Sequence, residues 1–246
     1  MRKLALLLLA TLTTAIYAQQ PGFSVATIRP STTDTLPLTQ IRGKRFVTVG
    51  TTFLDLFKYA YGVHDSQLVG GPDWLRSERF DVTADPDGEQ RPSSDQMKAL
   101  VQQLLLERFH VSLHQEGREL PVFALQQAGT APPKLTASTA NTSMPAGGSD
   151  GHGTIGMRNG TMVDFAMYLQ RFAGPIIDRP VVDATGIEGR YDLTLHFTPE
   201  GTASPDANTP ELFTALQEQL GLTLKRDKAK IPVYVIDSAS HPSLAS

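Results

Sequence analysis

Apolar and polar positions follow the same order twice along this chain. The segments that match are 79–83 with 190–194, 109–113 with 220–224 and 120–125 with 231–236, all at an offset of 111, and 52–55 with 161–164 at an offset of 109. A pattern that occurs twice favours two copies of one small module over a solenoid, which needs about three or more repeats to be stable.

Each copy is predicted to combine strands, in which apolar residues alternate, with amphipathic helices. Strands are predicted at 23–28, 45–49 and 79–84, and closing hairpins at 109–114 with 120–125 and at 222–224 with 231–236. The clearest helix follows Ser93 and Ser94, and its apolar face comprises Met97, Leu100, Val101, Leu104 and Leu105. Its counterpart is predicted to begin at Thr209, with Pro210 at the first helical position.

Two short motifs predict the start of the other helix in each copy. Thr52 is followed three residues later by Asp55, and Thr161 is followed by Asp164 in the same way. A threonine that caps the helix while an acidic side chain bonds back to the cap forms a capping box. Two such aspartates also suggest a catalytic pair of carboxylates. Their identical position in both copies favours the structural role.

The sequence therefore predicts an α+β protein made of two tandem copies of a small module. The order within each module is strand, helix, strand, helix and β-hairpin, and a flexible linker joins the two. The predicted boundaries are a signal peptide at 1–18, a first copy at 19–126, a linker rich in Ala, Thr, Ser, Pro and Gly at 127–151, and a second copy at 152–246.

The N-terminus has the pattern of an export signal. Arg2 and Lys3 precede an apolar segment at 4–16, and Ala18 provides a small residue for cleavage. The apolar segment is shorter than the stretch of about 20 residues that a transmembrane helix needs. We therefore expect a periplasmic or secreted protein with no stable membrane insertion after the signal is cleaved.

Composition excludes several classes of function. The chain has no cysteine, which excludes disulfides, thiolate catalysis and a lipoprotein anchor. The 22 basic and 25 acidic residues give a net charge of −3. Loss of Arg2 and Lys3 with the signal would leave 20 basic against 25 acidic residues, a net charge of −5. Because nucleic-acid binding depends on positive charge, no nucleic-acid partner is expected.

One motif suggests a serine hydrolase. Residues 147–151 match the G-x-S-x-G pattern around Ser149, and His152 follows directly. The chemistry requires this serine on a turn between a strand and a helix, whereas here it lies in a predicted linker where such patterns arise readily by chance. His110 and His114, predicted about 13 Å apart on one strand, are too distant to share a metal. Ser149, His152 and His114 are the catalytic candidates if the protein is a hydrolase.

A group of carboxylates in the second copy suggests a metal site. Its members are Asp178, Asp183, Glu188 and Asp192. Calcium binds about six to eight oxygen ligands, so calcium is the possible cofactor, and no other is expected. The alternative concerns Asp192, which lies two residues from an arginine, as Asp81 does. An Arg–Asp pair on the surface would explain both aspartates.

Three aromatic residues are candidates for binding a partner. Trp74 is the only tryptophan and follows the turn at 70–73. An exposed tryptophan there would be a typical binding anchor, and the alternative is that it packs the turn against the first helix. Tyr59 and Tyr61, which lie on that helix, complete the set of candidate binding residues.

Several segments resemble an uncharacterised exported family found mainly in Acidobacteria and known as soil-associated proteins. The segments that carry the resemblance are 23–31, 59–63, 70–75, 105–109, 118–122 and 182–192, so that it covers nearly the whole mature chain. That family brings no agreed activity, and no catalytic residue is carried over from it. Each copy also resembles the short N-terminal domain of secretins and TonB-dependent receptors, which implies a periplasmic module that binds partner proteins.

Two classes of function follow from these observations. The first is an exported, non-catalytic binding module of the cell envelope, whose partner is an envelope protein or a small-molecule ligand. The alternative is an extracytoplasmic hydrolase of esters or lactones that depends on a serine or on calcium. The duplication, together with the lack of any catalytic group with suitable spacing, favours the binding module.

Overall fold

The computed structural model describes residues 22–33, 36–141, 145–199 and 209–242, and the predicted signal peptide lies outside these ranges. The strands are β1 (Phe23–Pro30), β2 (Leu38–Arg42), β3 (Arg45–Thr52), β4 (Leu68–Gly70), β5 (Arg79–Pro86), β6 (Ser112–Gln127), β7 (Thr136–Ala137), β8 (Ala146–Ser149), β9 (Thr154–Gly160), β10 (Val181–Asp183), β11 (Tyr191–His196) and β12 (Leu222–Ser238). The α-helices are α1 (Phe53–Tyr61), α2 (Trp74–Ser77), α3 (Ser94–Arg108), α4 (Met162–Phe172) and α5 (Leu212–Ala215).

These strands form three four-stranded sheets. Sheet A has the order β1-β5-β3-β2, sheet B the order β10-β6-β12-β4, and sheet C the order β7-β11-β9-β8. Helices α1, α2 and α3 share a core with sheet A, whereas α4 and α5 share a second core with sheet C. Sheet B lies between the two, with the short edge strands β4 and β10 running parallel to β12 and β6.

The centre of the fold is the antiparallel ladder of β6 with β12. Its sixteen paired positions run from Gln127 opposite Leu222 to Ser112 opposite Ser238. The prediction of two hairpins is therefore wrong. The segment of the first hairpin forms the single strand β6, the segment of the second forms the single strand β12, and these two strands pair with each other. Gly117, which lies between the two predicted strands of the first hairpin, does not adopt a positive φ and pairs with Pro232 within the ladder. A tight hairpin turn would need positive φ values.

This ladder also shows that the prediction of two tandem modules is wrong. The core beneath sheet A contains Ile236 from β12, near the end of the chain. The core beneath sheet C contains Phe123 and Leu125 from β6. Each core thus includes a strand from the other half, and the fold is mostly β rather than two small α+β units. Within the predicted linker, Thr136–Ala137 and Ala146–Ser149 form the strands β7 and β8 of sheet C.

The predicted helix starts are confirmed where they rest on local signals. Thr52 accepts from the backbone N–H of Asp55 at 3.1 Å, and Thr161 accepts from that of Asp164 at 3.2 Å. In both boxes the aspartate bonds back to the cap. Helix α3 begins after its cap Ser93 and buries the five predicted apolar residues. The helix predicted from Thr209 is shorter than expected, because α5 has four residues and continues as a π-helical turn at Leu216–Leu220.

The caps can be tested separately from the packing. We expect Thr52→Ala and Thr161→Ala each to lower the free energy of unfolding by about 1 kcal/mol, because each removes a cap hydrogen bond. Urea denaturation followed by circular dichroism measures this. Val163→Ala is the matched control: Val163 is 65% exposed on α4, and alanine favours a helix. An equal loss in the control would contradict the role of the caps.

The shared ladder predicts that both cores unfold together. Leu169 is fully buried in the core beneath sheet C, whereas Trp74 packs against the core beneath sheet A. Leu169→Ala should cost about 2–5 kcal/mol and should shift the midpoint of Trp74 fluorescence as far as that of circular dichroism. Leu106→Ala, at a position that is 42% exposed, should shift both much less. A Trp74 transition that stays in place after Leu169→Ala would mean independent modules.

Candidate functional site

Sheet C has one face on the core and one face toward solvent. The core side carries Ile155, Met157, Leu193 and Leu195, and the outer side carries Gly156, Arg158, Asp192 and Thr194. A groove of about 710 Å³ crosses the outer side. Its lining includes Lys134, Thr136, Gly156, Arg158, Thr194 and Gln219. We call this feature the groove, and its lining combines several polar side chains.

Gly156 of β9 lines the groove and contributes no side chain to it. Gly148 on β8 lies directly opposite Gly156 on β9. A Cβ atom added at either position would meet nothing within 4 Å, and neither glycine has a positive φ. The backbone at these positions therefore does not require glycine, and the lack of a side chain at Gly156 leaves open space in the groove.

The charges around the groove are one anion and two cations. Arg158 is exposed and makes no hydrogen bond with another described residue, and its charge acts on the carboxylate of Asp192. Lys134 Nζ donates one hydrogen bond to the carbonyl of Glu218 at 2.8 Å. An ammonium group has three donors, so Lys134 retains two. With the single negative charge of Asp192, the lining has a net charge of +1, in contrast to the acidic chain as a whole.

One wall of the groove is held in place by hydrogen bonds of the Gln219 side-chain amide. Gln219 Nε2 donates to the carbonyl of His196 at 2.6 Å, and Gln219 Oε1 accepts from the backbone N–H of His196 at 3.0 Å. The backbone N–H of Lys134 donates to the carbonyl of Leu220 at 3.0 Å. These bonds attach the π-helical turn to the end of β11, so the wall has a defined position relative to the floor.

Asp192, one of the predicted metal ligands, is engaged by the backbone. Its Oδ1 accepts from the N–H of Asn159 at 2.7 Å. This bond, and next the Ser138 hydroxyl, lower the pKa of Asp192. The predicted Arg–Asp surface pair is not what the structure shows, because Arg190 Nη1 donates to the carbonyl of Asn159 at 2.7 Å. Both side chains thus hold the left-handed backbone at Asn159, where φ is 53°.

The other predicted metal ligands lie in separate local contacts. Asp178 binds Arg179 through two hydrogen bonds of 2.6 and 2.8 Å. Asp183 accepts from the backbone N–H and the hydroxyl of Thr185, and the Glu188 side chain is exposed. No group of three or more His, Asp or Glu side chains that could hold a metal ion occurs within the described ranges.

Ser149 lies at the end of β8, and the turn after it leads into another strand rather than a helix. Its hydroxyl accepts from the backbone N–H of Gly151 at 3.1 Å. Asp150 accepts from the N–H groups of His152 and Thr154 at 2.7 and 3.0 Å. These bonds lower the pKa of Asp150 to about 2. The motif is thus a hairpin turn closed by Asp150, and not the strand-to-helix turn of serine hydrolases.

His114 lies between two carboxylates on the exposed surface of β6. Its Nδ1 is 2.9 Å from Asp237 Oδ1, and its Nε2 is 3.2 Å from Glu116 Oε1. Arg118 in turn donates to Glu116 at 2.7 Å. Asp237, and next Glu116, raise the pKa of His114. His110 does not lie on the strand with it, because it precedes β6 with a φ of 47°.

Trp74 is covered by the C-terminal segment of the described chain. Its ring stacks on His241 at a centroid distance of 4.4 Å and on Phe109 at 6.2 Å. His241 Nε2 lies 3.0 Å from a carboxylate oxygen of Glu78. The indole therefore joins α2 to the end of the chain.

Tyr59 and Tyr61 are half-buried on α1. The Tyr59 ring contacts Phe46 at 5.2 Å and has the Arg171 guanidinium 5.1 Å from its centroid. The Tyr61 ring contacts Tyr234 of β12 at 4.8 Å. Burial raises the pKa of both tyrosines. They connect α1 with α4 and with the central ladder.

Of the residues that line the groove, sequence reasoning singled out only Asp192 as a candidate site residue. Arg158 stands alone in the segment Thr154–Gly160 and matches no motif. The available signal was the alternation of Ile155 and Met157 with Gly156 and Arg158, which predicts one apolar and one polar face. Placing Lys134 beside Arg158 required knowledge of the tertiary structure.

A family model described as "Protein of unknown function (DUF3738)" matches residues 54–239, which is more than half of the chain. The chain belongs to this family. The predicted membership of an uncharacterised family is thereby confirmed. No curated protein and no solved structure matches the chain. The matched DUF3738 region includes the central ladder and every residue named above as lining the groove.

No helix within the described ranges is both long and apolar enough to cross a membrane.

The environment of His114 predicts its titration. Because Asp237 and Glu116 favour the charged imidazole, His114 should titrate above the ordinary histidine pKa of about 6.5. The resulting stabilisation is fully present below the pKa of the unfolded chain and is lost as pH rises through the folded pKa. NMR of the imidazole protons should show a fall in this pKa after Asp237→Asn, and little change after the distant Asp95→Asn. Titration of His114 below its ordinary value would contradict the ion pairs.

Proposed function

We propose that this protein is a non-catalytic binding protein that works outside the cytoplasm, and that the groove holds a small polar ligand with an anionic group. The observation that carries the proposal is Arg158, an exposed guanidinium without a hydrogen-bonded partner among the described residues, on the wall of a groove of about 710 Å³. A guanidinium binds carboxylate or phosphate oxygens through two parallel hydrogen bonds.

The other residues that line the groove support binding of a ligand without its chemical conversion. Thr136 and Thr194 supply hydroxyl groups, and Lys134 retains two donors beside Arg158. The lack of a side chain at Gly156 leaves room for a ring or an extended chain. Polar groups on a preformed surface fix the orientation of a ligand. The lining thus combines several donors with one carboxylate, Asp192, whose Oδ1 already accepts from the backbone N–H of Asn159.

The hydrolase hypothesis receives less support from the geometry. Ser149 accepts a hydrogen bond from its own turn, and Asp150 is occupied by two backbone N–H groups. A serine nucleophile needs a base within about 3 Å. No hydrogen bond joins Ser149 to a histidine in the described part of the chain, and the His114 side chain is engaged by carboxylates.

The cellular location is part of the proposal. It is supported by the signal-like pattern of 1–18 and by the absence of cysteine. The resemblance to soil-associated proteins of Acidobacteria, and to the short N-terminal domain of secretins and TonB-dependent receptors, supports a place in the cell envelope. The partner is then a small molecule or an envelope protein, and no cofactor is required.

A binding assay with one charge variant tests the proposal. The mature protein is titrated by calorimetry with a panel of dicarboxylates, sugar phosphates and uronates. A ligand that binds the wild type should bind Arg158→Gln about 10- to 100-fold more weakly, because a hydrogen bond to a charged group contributes about 1.5–3 kcal/mol. The matched control is Arg91→Gln, which removes an exposed charge on the loop before α3 and should leave affinity unchanged.

Two outcomes would contradict this function. The first is binding that responds equally to Arg158→Gln and Arg91→Gln, which would show that net charge and not the groove attracts the ligand. The second is turnover of ester or lactone substrates that disappears in Ser149→Ala, which would establish the hydrolase instead.

A further inference from the structure

The middle of the central ladder carries a second cationic surface, separate from the groove. Successive residues of a strand alternate between the two faces of a sheet. Arg226, Lys228 and Lys230 therefore share one face of β12, about 7 Å apart, and all three are exposed. Arg179 joins them, since its guanidinium lies 5.0 Å from the ring of Phe123, the residue opposite Arg226. We call these four residues the basic face.

The acidic side chains nearby neutralise only part of this charge. Asp178 is fully paired with Arg179 through two hydrogen bonds. Glu119 is 70% exposed, and its Oε1 is 3.9 Å from Lys228 Nζ, so this pair is loose. Four cations against two carboxylates leave a net charge of +2 on a chain whose overall charge is −3.

An exposed apolar ring lies beside the basic face. Phe213 of α5 is 37% exposed, and its ring is 5.9 Å from that of Phe123 in an edge-to-face contact. The surface thus combines a row of cations on one face of a strand pair with one aromatic side chain. Aromatic and basic residues together are typical of proteins that lie on a membrane surface.

We propose that the basic face binds the anionic phospholipid headgroups of a membrane surface. The charge complementarity selects an anionic partner, the row of cations along β12 fits an extended anionic surface, and the exposed ring of Phe213 fits the apolar boundary beneath the headgroups. A soluble polyanion would contact the cations but would make no apolar contact with the Phe213 ring. The contact is peripheral and does not involve the groove.

Vesicle flotation with the mature protein tests this. The expected result is binding to vesicles that contain phosphatidylglycerol, no binding to pure phosphatidylcholine, and release at high salt. Each cation near an anionic surface contributes about fivefold in affinity, so Lys228→Gln with Lys230→Gln should lower partitioning about 30-fold. Trp74 fluorescence and circular dichroism verify that each variant is folded.

The opposite face of the same ladder offers a matched control. Arg118 and Lys225 lie there and are exposed, so Arg118→Gln with Lys225→Gln removes the same charge. This variant should bind vesicles like the wild type. Equal losses in both double variants, or no binding of the wild type to phosphatidylglycerol vesicles, would overturn the proposal.

A third variant separates a lipid surface from a soluble polyanion. Phe213→Ala should weaken binding to vesicles without affecting any association with dissolved polygalacturonate. Unchanged vesicle binding in Phe213→Ala, or binding to polygalacturonate alone, would overturn the assignment to lipid.

Discussion

The antiparallel pairing of β6 with β12 is the interaction on which the rest of the structure depends. One end of the ladder completes the core beneath sheet A through Ile236, and the other end completes the core beneath sheet C through Phe123 and Leu125. Removing either strand would leave both cores open and a row of unpaired backbone groups. Both cationic surfaces are also positioned by it, because the groove wall precedes β12 directly and the basic face lies on β12 itself.

What could be predicted from the sequence was the local structure. The caps of α1 and α4 were predictable because a capping box involves residues three positions apart, and α3 because its five buried residues follow a helical period. The pairing of the strands was not predictable in this way, because Gly117 and Pro121 are as compatible with a hairpin as with an edge strand or a bulge. A contact between residues about 110 positions apart leaves no mark in the local pattern, so the halves were assigned to separate modules.

The roles of side chains in the candidate site were also not predictable from local sequence. Asp183 and Asp192 were chosen because carboxylates clustered near a glycine turn suggest a metal site, yet each accepts a hydrogen bond from a nearby backbone N–H group, as Asp150 does beside Ser149. Asp81 does so as well, from the N–H of Gly50 at 2.9 Å. Aspartate stabilises turns and left-handed residues in this way, so these residues serve the fold. Arg158 was overlooked because an isolated arginine becomes informative only when its surroundings are known.

The two cationic surfaces are joined by a short and rigid stretch of chain. Gln219 and Leu220 form the groove wall, Gly221 turns the chain with a φ of 68°, and β12 begins at Leu222. A side chain at Gly221 would approach the Cα of Pro133 at 3.3 Å, and the Gly221 carbonyl accepts from the N–H of Ala128 at 2.8 Å. Because this turn is packed and hydrogen-bonded, the groove and the basic face keep a fixed relative position. A ligand in the groove would then be held in a defined orientation to whatever surface the ladder contacts.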